Sequence, residues 1–121
     1  MRGGGPRIKR IYDPAEPGDG KRYLVDLLWP RGVSKARARL DGWLKELAPS
    51  DELRHWFGHD LARWQEFKRR YRLELKARDK KAKLRELAQE IEAGPVTLLY
   101  AAKDQERNNA VALREELLRN Y

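Results

Sequence analysis

The chain contains no cysteine. That excludes a disulfide framework, a thiol nucleophile and any cysteine-ligated zinc or iron–sulfur centre. Long apolar runs are missing too. The longest mostly apolar stretch, Val96–Ala102, is far short of the roughly 20 residues of a membrane-spanning helix. The first residues, Met1-Arg2-Gly3-Gly4-Gly5-Pro6, lack the apolar stretch of a secretory signal. There is no Walker-type loop and no GxGxxG pattern. These absences predict a soluble, cytoplasmic protein with no membrane partner, and they imply no cofactor and no metal site.

Basic charge is what the chain has in excess. Among 121 residues, 27 are Lys or Arg and 19 are Asp or Glu, a net charge of +8 with a pI near 9.9. Residues 61–85 hold eleven of the basic residues and three of the acidic ones, so sixteen of each sign remain elsewhere. The whole excess sits in one stretch of 25 residues. Either it contacts phosphates of nucleic acid, through Arg63, Arg69, Arg70, Arg72 and Lys76, or it is a solvated helical face.

Periodicity predicts an α/β fold: a small, mostly parallel sheet of three or four strands packed by about five helices. Residues 1–6 read as a flexible tail because three consecutive glycines are costly to order, and residues 7–121 as a single domain. Arg7–Tyr12 alternates as a strand. Tyr23–Leu28 and Val96–Ala102 are nearly continuous apolar runs, the pattern of strands covered on both faces. Ser34 is a candidate N-cap for a helix whose stripe is Leu40, Trp43, Leu44 and Leu47. Ser50 caps a second, short helix closed by Gly58. A long helical run starts near Asp60, with a break expected near Asp79–Lys81 and a stop at Gly94-Pro95. Asp104 is the expected N-cap of the last helix.

In open parallel sheets ligands bind beyond the carboxyl ends of the strands. The polar residues expected there are Arg31, Lys35, Lys103, Asp104, Asn108 and Asn109, with Trp29 as a pocket wall and His59 and Tyr71 approaching from the helices. Helix N-termini after Ser34 and Asp104 would favour an anion. Asp26, inside an apolar run, needs a partner or a raised pKa. It is a candidate acid/base or ligand-orienting group, or half of a structural ion pair with Arg31 or Arg54. His55 and His59 lie four apart, but without an HExxH pattern they read as surface and helix-boundary residues. Asn108-Asn109 either bonds the loops or contacts a ligand. Trp43, Trp56 and Trp64 fall at helical core spacing.

The run Val25-Asp26-Leu27-Leu28-Trp29-Pro30-Arg31-Gly32-Val33-Ser34-Lys35 resembles the YeaO-like family, a domain of unknown function (four-eight-eight). The likeness continues through Ala48-Pro49-Ser50, Trp56-Phe57, His59-Asp60 and Thr97–Asp104 to Asn108-Asn109-Ala110. Leu27 stands where that family often has arginine. The resemblance implies a compact α/β domain and brings no activity or catalytic residues with it. The expectation is a protein that binds or acts on a small anionic, phosphate- or nucleotide-like ligand at the strand ends. The alternatives are nucleic-acid binding through residues 61–85, and a protein-interaction domain with no catalytic site.

Overall fold

The computed structural model describes residues 5–121, so residues 1–4 of the expected tail lie outside the described residues. Four strands, β1 (Arg7–Arg10), β2 (Lys21–Leu24), β3 (Gly42–Trp43) and β4 (Val96–Tyr100), form one sheet in the order β1-β4-β2-β3, with every pair parallel. Five helices accompany it: α1 (Lys35–Ala38), α2 (Asp51–Phe57), α3 (Trp64–Glu74), α4 (Arg78–Ala93) and α5 (Asn109–Asn120). The expected fold class holds.

Alternation along the two central strands builds both layers. Tyr23, Val25, Val96, Leu98 and Tyr100 face a large core filled by Leu53 and Phe57 of α2, Phe67 and Tyr71 of α3, Leu84 and Leu87 of α4, and Leu113 and Leu117 of α5. Leu24 and Leu99 face the other side, where Ile11, Val33 and Ala38 meet them beneath α1. Every residue of β4 is buried. Double coverage explains why this strand reads as an unbroken apolar run.

Several boundaries differ from the sequence pattern. The helix expected through Leu47 stops at Ala38, because Arg39 takes a left-handed conformation, φ 49°. The chain then pairs with β2: Arg22 N–H donates to the Asp41 carboxylate at 2.8 Å, and Leu44 N–H to the Leu24 carbonyl at 2.8 Å. Gly42 permits this approach, since a Cβ there would lie 3.0 Å from the Tyr23 ring. β2 ends at Leu24 rather than Leu28, and β4 at Tyr100 rather than Ala102. The long helical run breaks at residues 75–77, ahead of Asp79. Leu75 is buried, and the chain turns at Ala77 (ψ 144°) so that the Leu84 stripe returns to the same core. Asn108, not Asp104, caps α5, its Oδ1 accepting the Val111 N–H at 3.0 Å. The caps expected at Ser34 and Ser50 are present. No helix of the described residues is long and apolar enough to cross a membrane.

Candidate functional site

Beyond the carboxyl ends of β2 and β4 lies a cavity of about 770 Å³, within the range of small-molecule sites. Three segments wall it: residues 26–31 after β2, residues 101–109 between β4 and α5, and Pro49 with α2 and the Gly58-His59 turn behind it. The ends of the strands diverge here and leave their backbone groups to side chains. Asp26 meets that need. Its Oδ2 accepts the Ala101 N–H and its Oδ1 accepts Asn109 Nδ2–H, both at 2.9 Å. Asn109 also donates to the Val25 carbonyl at 2.9 Å, and Trp43 Nε1 donates to the Asp26 carbonyl at 2.7 Å. One residue thus ties together the ends of β2 and β4, the edge strand β3 and the first turn of α5.

Burial pushes the Asp26 carboxyl up, against the hydrogen bonds from Asn109 and Ala101 and the positive charge of Arg54; the net direction is upward. No ion pair is formed by Asp26 among the described residues, so Arg54 acts on it through space only. Asp104 is shifted the opposite way. The backbone N–H groups of Glu106 and Arg107 donate to its carboxylate at 2.9 and 3.0 Å and hold it below the ordinary range.

Of the site residues expected from the sequence, Asp26, Trp29, Arg31, His59, Lys103, Asp104, Asn108 and Asn109 all line this cavity. Trp29 stacks edge-on against Trp43, with centroids 5.3 Å apart, and donates its Nε1–H to the Val33 carbonyl. His59 sits behind Gly58 with φ 57°, an uncommon conformation for a residue with a side chain. Lys35 and Tyr71 are not among the lining residues. Lys35 is exposed in the first turn of α1, which at four residues is too short to direct a field into the cavity. Tyr71 is fully buried in the core, where its hydroxyl donates to the Leu47 carbonyl. Asn108 serves as a helix cap and Asn109 as a loop bond, the structural roles weighed for that pair.

His55 and Arg107, and Arg54, which the sequence offers only as an ion-pair partner of Asp26, are not among the expected ligand-binding residues, yet all three line the cavity. Arg54 and His55 could have been found from the Gly58 stop, since residues just ahead of it face the same opening. Arg107 could not, because the region was expected to be helical. With Arg31 and Lys103, the cavity carries four basic side chains, of which Arg54 pairs with Asp51 at 2.7 Å and Arg107 with Asp104 at 3.8 Å, around a largely apolar floor that includes Trp29, Phe57 and Phe67. Among the described residues, no three His, Asp or Glu gather as a metal site.

The basic helices are partly self-compensated. Arg69 and Arg70 share Glu66, at 2.7 and 2.9 Å. Arg63 pairs with Asp60 and donates to the Trp56 carbonyl, and the Arg70 guanidinium lies 4.0 Å from the centre of the Trp56 ring. The side chains of Arg72 and Lys76 make no hydrogen bond or ion pair among the described residues, and the Lys76 N–H donates to the Leu73 carbonyl at 3.2 Å.

Residues 7–121 match the family described as the inactive DUF488-N3 subclade. The protein named "Uncharacterized protein YeaO" of Escherichia coli is 44% identical over 111 residues, which span 92% of this chain and 95% of that protein. "Uncharacterized protein Mb3100c" of Mycobacterium bovis and "Uncharacterized protein Rv3073c" of Mycobacterium tuberculosis are each 40% identical over 111 residues, 92% of both chains. No solved structure matches the chain.

Proposed function

The chain belongs to the inactive DUF488-N3 subclade, and from that premise we propose that it binds, rather than transforms, a small phosphate-type anion in the cavity beyond the strand ends. The observation that carries this reading is the placement of Arg31, Arg54, Lys103 and Arg107 around one apolar-floored cavity whose carboxylates, Asp26 and Asp104, each accept two N–H groups of the protein. Guanidinium groups favour bidentate recognition of phosphate. The N-terminal turn of α5, with Asn108 and Asn109 at the cavity wall, favours the same charge. In this reading Asp26 holds the walls together and does not shuttle protons. The word "inactive" in the family's description agrees with binding without turnover.

Calorimetry and thermal melting with inorganic phosphate, ribose 5-phosphate and nucleotides test it. A phosphorylated ligand should raise the melting temperature, and Arg31→Ala or Arg54→Ala should weaken binding by about tenfold or more, the loss of one hydrogen bond to a charged group. If none of these ligands raises the melting temperature, or if both variants bind as the parent does, the reading fails. A second reading, nucleic-acid binding through α3 and α4, draws support from the concentration of the charge excess there and from the unpaired Arg72 and Lys76. It requires affinity that falls steeply with salt and is lost in an Arg72→Glu, Lys76→Glu double variant.

A further inference from the structure

The cavity has an end that an anion does not explain. Asp26 lines it, in a setting whose lining is largely apolar. An ionised carboxylate offers about four acceptor positions. Among the described residues the protein donates to two of them, one from the Ala101 N–H on Oδ2 and one from Asn109 on Oδ1. No cation bonds it, and one acceptor position on each oxygen remains for whatever enters the cavity. A carboxylate in that state recognises a pair of adjacent N–H donors. The neighbouring walls include the half-buried Trp29, whose ring suits a flat base.

Resting on the anion reading above, we propose that the ligand is a guanine nucleotide, its phosphate at the arginine and lysine side chains and its N1–H and 2-amino edge on the Asp26 carboxylate. Guanine is the common base whose pairing edge presents two adjacent donors. Adenine and cytosine each present an amine beside a ring acceptor, which a carboxylate repels. The cavity volume of about 770 Å³ accommodates a nucleoside monophosphate. Asp26 is the base-reading residue here, and Asn109 and the Ala101 N–H set the orientation of its carboxylate.

The test is calorimetric titration of the full chain with guanosine 5′-monophosphate, inosine 5′-monophosphate and guanosine. Inosine monophosphate keeps the phosphate and N1–H and lacks only the 2-amino group. The guanine nucleotide should bind about tenfold or more tightly than the inosine nucleotide, the discrimination of one bidentate pair. Equal affinities overturn the base assignment and leave the anion reading standing. Guanosine binding as tightly as its monophosphate overturns the anion reading and leaves the base assignment. Binding of none of the three overturns both. In Asp26→Asn the preference for the guanine nucleotide should collapse to within about twofold while inosine nucleotide binding persists; a preference that survives in the folded variant refutes the role of Asp26. If that variant does not fold, the ratio measured on the parent decides.

Discussion

Two carboxylates, Asp19 buried and Asp26 half-buried, are treated oppositely and define the chemistry at the residue scale. Asp19 is 2% exposed and accepts from Arg22 at 2.5 Å, Lys9 at 3.1 Å and the Glu16 N–H at 3.0 Å. Burial pushes its carboxyl up, and the Glu16 N–H, Lys9 and Arg22 together outweigh that, so its folded pKa lies below the ordinary value. A depressed carboxyl contributes stability above its unfolded pKa and loses it as pH falls through the folded one. Asp19→Asn should therefore cost about 3–5 kcal/mol near neutrality, the cost of breaking a buried pair. The difference from the parent should shrink as pH drops below about 4, as urea unfolding at several pH values would show; a difference constant with pH would be wrong for this network. Asp26 has the opposite sign. Its raised folded pKa makes its contribution complete below the unfolded value and lost as pH rises through the folded one. The polar character of Asp26 was legible in the sequence as a carboxyl inside an apolar run. Its partners were not, because Ala101 and Asn109 lie 75 and 83 residues away.

At the scale of elements, the junctions decide stability. The starts of β2 and β4 are clasped where Lys21 N–H donates to the Pro95 carbonyl at 3.0 Å. Gly20 makes that approach with φ 65°, and a Cβ there would stand 2.1 Å from the Pro95 oxygen. Gly32 has a similar φ of 78° with nothing within 4 Å. Gly32→Ala should cost only the conformational term, of order 1–3 kcal/mol, and Gly20→Ala clearly more, because backbone must move. Thermal melts of the two variants separate the contributions, and equal losses would contradict the clash. A short helix is legible where a cap and a stop bracket an apolar pair, as in Ser50 to Gly58. Spacing of i, i+3, i+4 with no cap at its far end does not define one. Leu40, Trp43, Leu44 and Leu47 satisfy a helical stripe, but Leu40 and Trp43 pack on the α1 side of the sheet and Leu44 and Leu47 on the other. Gly42 was the local sign that the chain approaches another backbone there.

For the molecule as a whole, protection follows position in the sheet. β4 lies between β1 and β2, bonded on both edges and buried along its length, while β3 is a two-residue edge. Amides of Leu98 and Leu99 should exchange with the slowest, global opening, and those of Gly42 and Trp43 through cheaper local opening. Hydrogen exchange measured by NMR checks this ranking, and fast exchange in β4 would be inconsistent with its central place. Amphipathic and doubly apolar periods determined the fold class, because burial of apolar side chains is written into spacing along the chain. The two strands whose ends form the cavity, and the loops after them, followed from the same signal, and the concentration of charge in residues 61–85 was likewise plain. Only the tertiary structure decided that α2 brings Arg54, His55 and Phe57 to those strand ends and that Asp26 finds its donors across the sheet. Those relations depend on chain segments distant in sequence meeting at one place, and hydrophobic periodicity carries information about which face is buried but none about which residues will meet there.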